Sequence, residues 1–218
     1  MLPIGDDNSR RRLFPIVTYL FVAVNVGVFL IELSMGDTFI VQGSFIPARF
    51  LAHPVGQFIT IFTVMFLHTG WLHILGNMLY LLIFGDNVED RLGHFKFIIF
   101  YFLCGMAATF AQMAVEPTST IPNLGASGAI AGILGAYILM FPRGRVRVLF
   151  VVFLVQLPAF AVIGLWILLQ FFNQFGSITT SLSTGGVAYM AHFGGFLAGI
   201  LLTLLMGGTR SRTPAGYS

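Results

Sequence analysis

Residues 125–141 have the sequence GASGAIAGILGAYILMF, which contains no charged side chain. Its small residues recur at every fourth position, as Ser127, Ala131 and Gly135. Residues four apart share one face of an α-helix, and a face of small side chains allows two helix backbones to approach closely in lipid. The stretch therefore predicts a membrane helix that packs tightly against a second helix.

The composition of the whole chain indicates that lipid is its solvent. Of the 218 residues, 57% are apolar and only 9% are charged, and the mean hydropathy is +0.91. Between Val148 and Thr209 there is no Asp, Glu, Lys or Arg. A water-soluble domain needs far more charge, so this balance excludes one. The single cysteine, Cys104, lies in an apolar run and is expected to fill space there.

Apolar runs of about 20 residues are long enough to cross a bilayer as helices, and the chain contains six candidates. They lie near residues 15–33, 71–86, 96–115, 125–141, 150–172 and 187–208. Because Pro158 interrupts the fifth run, that helix is expected to begin near Leu157, after an irregular approach from Arg147 to Gln156. The expected fold is an all-α polytopic membrane protein with six transmembrane helices.

These spans are expected to form a single domain that covers residues 1–218. Polar segments flank it at residues 1–12 and 210–218. No cleavable signal peptide is expected, because further spans follow the first apolar run. The first loop, roughly Ser34 to Gly70, is long and rich in Phe and Ile, so we expect it to lie partly within the membrane interface.

Lys and Arg side chains fall almost entirely on one side of this expected bundle. By the positive-inside rule both termini are cytoplasmic, and spans two, four and six run from outside to inside. A calculated pI of 9.4 is compatible with a nucleic-acid partner, but the one-sided distribution favours an ordinary topology signal, so no nucleic acid is expected. Arg49 lies on the opposite side, and the cytoplasmic basic residues are Arg10, Arg11, Arg12, Arg91, Lys96, Arg143, Arg145, Arg147, Arg210 and Arg212.

Polar side chains within the spans are candidates for chemistry, because polar groups in a membrane are costly and usually functional. The informative ones are His73 and Asn77 in the second span, Ser127 in the fourth and His192 in the sixth. At the rise of an α-helix, Ser127 and His192 lie about 24 and 27 Å from the cytoplasmic arginines that follow them, and His73 lies at a similar depth. The three residues thus share one level near the outer surface of the bilayer.

A second face of small residues follows His192, formed by Gly195 and Gly199. Two such faces would bring the imidazole against the Ser127 hydroxyl, the arrangement in which a base activates a serine nucleophile. The predicted topology places most carboxylates on the cytoplasmic side, so we expect a two-residue dyad rather than a triad. This chemistry requires no metal and no other cofactor.

Attack on a carbonyl produces an oxyanion, which needs hydrogen-bond donors in a water-poor site. His73 and Asn77 are four residues apart on one helix face, near the level of Ser127, and are suitable donors. The backbone amides around Ser127, at a helix N-terminus just after Gly125, are further candidates.

These motifs resemble those of the rhomboid family of intramembrane serine proteases. The resemblance covers nearly the whole chain and extends to residues 85–93 and 158–170. It implies a six-helix bundle that cleaves transmembrane protein substrates near the outer face of the bilayer. It also implies that Ser127 is the nucleophile, His192 the base, His73 and Asn77 the oxyanion donors, and His68 a supporting residue. The motifs are Gly125-Ala126-Ser127-Gly128, His68-x4-His73-x3-Asn77 and Ala191-His192-Phe193-Gly194-Gly195.

Two positions depart from the pattern of this family. Ala131 stands where some members have a tyrosine stacked on the catalytic histidine, and Ile59 with Thr60 replaces a Trp-Arg pair common in the first loop. The orientation of His192 and the anchoring of the loop are therefore open at this point. The bare six-helix core resembles the bacterial form, which implies a location in the plasma membrane.

Several alternatives compete with a protease. Ser127 alone is explained better by helix packing than by chemistry, and His73 with Asn77 are explained equally well by polar contacts between helices. A transporter or channel would place charged or cation-coordinating groups near mid-membrane, which the spans lack. A rhomboid-like binding protein without activity normally lacks a catalytic residue, whereas this chain retains both. We also consider Phe171 and Phe172, at the end of the fifth span, as a lateral gate for substrate.

Overall fold

The computed structural model describes residues 2–9, 11–180 and 189–209, and it is predominantly helical. Three parts of the expected fold lie outside the described residues: Arg10, the first residues of the sixth span, and the polar tail from 210 to 218 with its two arginines. The α-helices are α1 (Ile16–Met35), α2 (Asp37–Gly43), α3 (Pro47–Ala52), α4 (Pro54–Gln57), α5 (Thr60–Thr63), α6 (Trp71–Tyr80), α7 (Asp86–Leu92), α8 (His94–Val115), α9 (Ser127–Met140), α10 (Ala159–Thr180) and α11 (Tyr189–Leu205).

Helix length and apolar composition identify the segments able to cross a membrane. Within the described part of the chain, α1 and α8 qualify on their own, and the segments Pro54–Phe66 and Trp71–Leu92 qualify as one span bent by 78°. Helices α9, α11 and α10 as far as Gln170 are apolar but shorter, at 10–17 residues. A helical, polytopic membrane fold is therefore confirmed, while six complete crossings stay a prediction.

The close approach expected for the two small-residue faces is confirmed where α9 crosses α11. A Cβ atom at Gly195 would overlap the carbonyl oxygen of Gly128, and one at Gly199 would overlap that of Gly132. Only glycine allows backbones this close, because any side chain would push the helices apart. We call this contact the glycine seam.

The expected first loop is built from short helices rather than open coil. After α5, a 3₁₀ turn (Val64–Phe66) leads towards α6. The Arg49 guanidinium donates hydrogen bonds to the carbonyls of Val41 (3.0 Å) and Ser44 (2.6 Å), which ties α2 to α3. Phe45 is fully buried and pairs through its backbone with Asn123, at 2.8 and 3.1 Å. These bonds anchor the loop in place of the Trp-Arg pair.

A buried carboxylate connects the second span to the first. Helix α6 continues through a π-helical turn (Leu81–Gly85) into α7, where Glu89 is fully buried. Glu89 accepts hydrogen bonds from the backbone amides of Val17 (2.9 Å) and Thr18 (2.8 Å) in the first turn of α1. These amides have no partner within their own helix, and a negative charge is favoured at a helix N-terminus.

The expectation of an all-helical chain is wrong at one end of the bundle. Three strands, β1 (Leu2–Asp6), β2 (Arg145–Phe150) and β3 (Phe153–Pro158), form an antiparallel sheet in the order β1-β2-β3. In register, Leu2 faces Leu149 and Phe150 faces Phe153.

Two sequence interpretations change as a result. The fifth helix begins at Ala159, close to the expected start near Leu157. The apolar run placed at residues 150–172 therefore begins before the helix, and the approach that was expected to be irregular is an ordered hairpin. The physical reason is the alternation in β2, where Val146 and Val148 are buried while Arg145 and Arg147 face outward. This period of two, with β-branched residues, is typical of a strand. The polar N-terminus likewise contains a strand.

Asp6 fastens the sheet to the bundle. Its carboxyl accepts hydrogen bonds from the Tyr137 hydroxyl and the Asn87 side-chain amide, both at 2.7 Å. Burial raises the pKa of Asp6 to about 7, which those two hydrogen bonds partly oppose. The end of β1 is thus joined to α7 and α9.

The glycine seam leads to a stability prediction. We expect Gly199→Ala to lower the free energy of unfolding by about 1–3 kcal/mol, because the added methyl group overlaps the Gly132 backbone. The measurement is the unfolding midpoint of the purified protein in mixed micelles.

Gly164→Ala is the matched control, because a Cβ at this helical glycine meets nothing within 4 Å. Its midpoint should stay the same or rise, since alanine favours a helix over glycine. Equal midpoints for the two variants would contradict the tight packing of α9 against α11.

Candidate active site

Ser127 is the first residue of α9, and the chain before it is fixed by backbone contacts. Gly125 has a φ angle of +127°, a conformation that glycine adopts without strain. The Gly125 amide donates to the carbonyl oxygen of Val64 at 2.9 Å, and Asn123 pairs with Phe45. The serine hydroxyl is therefore held at a defined point at the N-terminus of a helix.

His192 lies on α11, directly across the glycine seam. Its Nε2 atom is 2.8 Å from Ser127 Oγ, and its Nδ1 atom is 2.9 Å from the side-chain oxygen of Gln170 on α10. The residue is 91% buried, since its exposed fraction is 9%. Three helices thus contribute to one chain of polar side chains.

The partners of the imidazole determine which nitrogen carries the proton. An amide oxygen only accepts hydrogen bonds, so the contact with Gln170 requires hydrogen on Nδ1. In the neutral ring this leaves a lone pair on Nε2, facing the Ser127 hydroxyl. The arrangement is the one in which histidine accepts the proton of a serine nucleophile. Within the described residues, no carboxylate hydrogen-bonds to this imidazole.

Trp166 also contacts the His192 ring, at 5.6 Å between centroids and a tilt of 43°. It lies one helical turn before Gln170 on α10, so both side chains reach the imidazole from one helix face. Ala131 is fully buried and offers no aromatic ring at the position of the family's tyrosine. The orientation of His192, left open by the sequence, is therefore fixed from α10 by an indole and an amide.

His73 faces the same point as the Ser127 hydroxyl. A Cβ atom at Gly125 would lie 2.9 Å from His73 Nε2 and 3.5 Å from Ser127 Oγ, so the imidazole and the hydroxyl flank this glycine. The amide and the hydroxyl of Thr69 contact His73 Nδ1, at 3.4 and 3.1 Å. Because the amide can only donate, Nδ1 is an acceptor, which leaves Nε2–H of the neutral ring as a donor towards the site.

Asn77 and His68 complete the polar surroundings of His73. The Asn77 side-chain nitrogen is buried and has no hydrogen-bond partner among the described residues, so this donor is available. The His68 ring packs edge-on against the His73 ring, with 5.0 Å between centroids. His68 is almost fully buried, and its backbone amide donates to the Glu32 carboxylate at 3.1 Å.

One candidate oxyanion donor needs correction. The Gly125 amide is already bonded to Val64, so it is not a free donor. Gly125 instead leaves room for the His73 ring, because a side chain at this position would collide with it. Among the described backbone amides, those of the first turn of α9, which begins at Ser127, have no partner within their own helix.

Sequence reasoning missed Gln170, Trp166, Thr69 and Glu32. A signal existed for Gln170, which is a polar residue in a long uncharged run and lies four positions after a tryptophan. Glu32 carried the same kind of signal, as a carboxylate within the apolar first span, whereas no comparable signal marked Thr69. Of the two residues proposed as a gate, Phe172 is exposed, and the side chain of Phe171 lies outside the described residues.

Comparisons with known proteins place these features in a family context. A family model described as the Rhomboid domain matches residues 55–209. The chain is 29% identical over 210 residues to Rhomboid-like protein 11, chloroplastic, of Arabidopsis thaliana, which covers 93% of this chain and 69% of that protein. It is 26% identical over 196 residues to the Putative rhomboid protease YdcA of Bacillus subtilis (strain 168), covering 89% of each. Rhomboid protease GluP of the same bacterium is 33% identical over 126 residues, covering 56% of this chain and 24% of that protein.

The contact between Gln170 and His192 is testable by near-isosteric replacement. Gln170→Met keeps the length of the side chain but removes the oxygen, so we expect Ser127 to react with a fluorophosphonate roughly 5- to 10-fold more slowly, as expected for a lost hydrogen bond of about 1 kcal/mol.

Gln170→Glu is the acceptor-retaining control and should react faster than Gln170→Met, because a carboxylate oxygen still accepts a hydrogen bond from Nδ1–H. The measurement is the rate of labelling, with the modified serine mapped by mass spectrometry. If the Met and Glu variants reacted equally fast, the amide oxygen would have no part in orienting the imidazole.

Proposed function

The chain belongs to the rhomboid family of intramembrane serine proteases, and we propose that it cleaves transmembrane segments of membrane proteins near the outer face of the bilayer. The observation that carries this proposal is the 2.8 Å contact between Ser127 Oγ and His192 Nε2. Ser127 is the nucleophile and His192 is the general base of a dyad. The relatives named as rhomboid proteases support the same reaction class.

The first half of the reaction forms an acyl-enzyme. His192 Nε2 takes the proton of the Ser127 hydroxyl as Oγ attacks the scissile carbonyl carbon. The resulting tetrahedral intermediate collapses when the C–N bond breaks, and the imidazolium returns its proton to the leaving amine. Gln170 accepts a hydrogen bond from Nδ1–H throughout and so keeps Nε2 directed at the serine.

The oxyanion of the intermediate is stabilised by fixed donors rather than by water. His73 Nε2–H and the Asn77 side-chain amide supply two of them, and the amides of the first turn of α9 add the positive end of a helix dipole. His68 and Thr69 hold the His73 ring in place. In a water-poor site such donors have a larger effect than in water.

The second half of the reaction requires one water molecule. A cavity of about 30 Å³ adjoins Ser127 and is lined in part by Thr109, Gln112 and Asn123. This volume and its polar lining suit a single water. His192 takes a proton from that water as its oxygen attacks the acyl carbon. The ester bond between that carbon and Ser127 Oγ then breaks, the imidazolium returns the proton to Oγ, and the second product leaves.

The substrate is a membrane protein whose transmembrane helix unwinds locally. A regular helix in lipid hides its carbonyls in backbone hydrogen bonds, so a scissile carbonyl has to be released from them before attack. We further propose a single domain over residues 1–218 with six crossings, cytoplasmic termini and a location in a bacterial plasma membrane. The arginines near the cytoplasmic ends of the spans support this orientation.

The dyad predicts the effect of two single substitutions. Ser127→Ala and His192→Ala should each reduce cleavage of a model transmembrane substrate more than about 10³-fold and stop fluorophosphonate labelling. The assay uses the purified protein in detergent and follows cleavage on a gel. His53→Ala, at an exposed loop histidine, is the control and should leave cleavage unchanged. Cleavage retained by Ser127→Ala would end the proposal. A wild-type protein that neither cleaves the substrate nor reacts with the fluorophosphonate would instead indicate a transporter or an inactive relative.

The oxyanion donor role of Asn77 predicts a loss in rate rather than in substrate binding. Asn77→Ala should lower kcat about 10²- to 10³-fold with little change in KM, because the donor acts mainly on the transition state. Asn25→Ala removes another buried side-chain amide, whose nitrogen donates to the Phe21 carbonyl within α1, and should affect stability but not kcat. A similar kcat for both variants would remove Asn77 from the oxyanion site.

A further inference from the structure

The end of the β2–β3 hairpin exposes a continuous apolar surface. Residues 150–154, Phe-Val-Val-Phe-Leu, which we call the hairpin tip, are each between 55% and 78% exposed. The base of β2 alternates between exposed and buried residues, as a strand with one solvent-facing side does, but the tip is apolar on both faces. Exposed apolar patches of this kind mark contacts with a partner or a membrane.

The turn itself favours an apolar contact over a stable turn in water. Val151 has a φ angle of +57°, in the left-handed region that β-branched residues rarely adopt. Tight hairpin turns usually place glycine, asparagine or aspartate at such a position. Two valines here present apolar side chains at the point farthest from the base.

The position of the hairpin identifies lipid as the partner. Its base lies where α9 ends and α10 begins, because β3 runs directly into α10 at Ala159. The exposed side chains of α10, which include Phe160, Leu165 and Leu169, form an apolar surface suited to lipid. The tip continues the apolar character of that surface.

Charge at the base agrees with a membrane interface. Arg143, Arg145 and Arg147 are exposed and precede the tip, so guanidinium groups stand beside an apolar end. Basic side chains beside apolar ones are typical of segments that bind anionic headgroups and bury apolar side chains at the acyl boundary. β3 is an edge strand in the described sheet, so the N–H and C=O groups on its outer side have no partner strand there. Because such groups are costly in hydrocarbon, they favour the polar interface.

We propose that the hairpin tip inserts its side chains into the lipid leaflet next to the C-terminus of α9, with the basal arginines against the headgroups. The tip thereby anchors the sheet to the membrane surface and fixes the start of α10. This inference uses none of the catalytic residues, so it stands independently of the proposed protease activity.

The test places a polarity-sensitive fluorophore at the tip through Val152→Cys, in the full-length protein reconstituted in phosphatidylcholine–phosphatidylglycerol vesicles. Cys104 is fully buried and stays unlabelled. We expect a nitroxide on the upper part of the lipid acyl chain to quench this fluorophore at least twofold, and aqueous iodide to have little effect. Ser9→Cys, at an exposed polar position, is the matched control and should show the reverse pattern.

Leu154→Cys provides a second tip position if the first variant folds poorly, and it should behave in the same way. Quenching of both tip labels by iodide and not by the lipid nitroxide would overturn the proposal. So would energy transfer between labelled copies without lipid quenching, which would assign the β3 edge to pairing with a second copy of the chain.

Discussion

The glycine seam is the constraint on which the site depends. Lipid supplies no hydrophobic driving force between helices, so α9 and α11 associate through close packing and polar contacts. The backbones come so close that Gly128 and Gly132 carbonyls occupy the space of side chains at Gly195 and Gly199. At this separation a short serine side chain and an imidazole on the facing helix reach hydrogen-bond distance. A wider crossing would leave the same two residues out of contact.

Two uncharged neighbours, Gln170 and Thr69, place the proton of His192 on Nδ1 and that of His73 on Nε2. Gln170 accepts from His192 Nδ1, which leaves a lone pair on Nε2 that faces the Ser127 hydroxyl. Thr69 donates to His73 Nδ1, which leaves a proton on Nε2 that points towards Gly125 and the site. In the proposed mechanism, one histidine thus serves as a base and the other as a donor, because the partner of the far ring nitrogen determines which nitrogen carries the proton. A carboxylate is unnecessary for this distinction, because a neutral amide and a threonine suffice.

Sequence patterns predicted the long helices and the pairing of small-residue faces because both are local and periodic. The polar residues of the site were predicted for a related reason, since a polar group in an apolar run stands out. The hairpin was missed because residues 145–158 are as apolar as a span, and only the alternation in β2 distinguishes a strand. Gln170 and Trp166 were missed because their contact with His192 depends on the rotation of α10, which hydropathy does not encode. Glu89 is similar: its partners are amides some 70 residues away, and only the folded chain brings them together.

Helix α9 is fixed at both ends by different chemistry, and this holds the serine in place on a short helix. At the N-terminus, backbone bonds from Asn123 to Phe45 and from Gly125 to Val64 tie the serine to the first loop. At the other end, the Tyr137 hydroxyl bonds to Asp6 of β1. A shift of α9 along its axis would break both sets of bonds and displace the seam carbonyls. The small sheet is therefore part of the support of the site, although it lies at the far end of the helix that carries the serine.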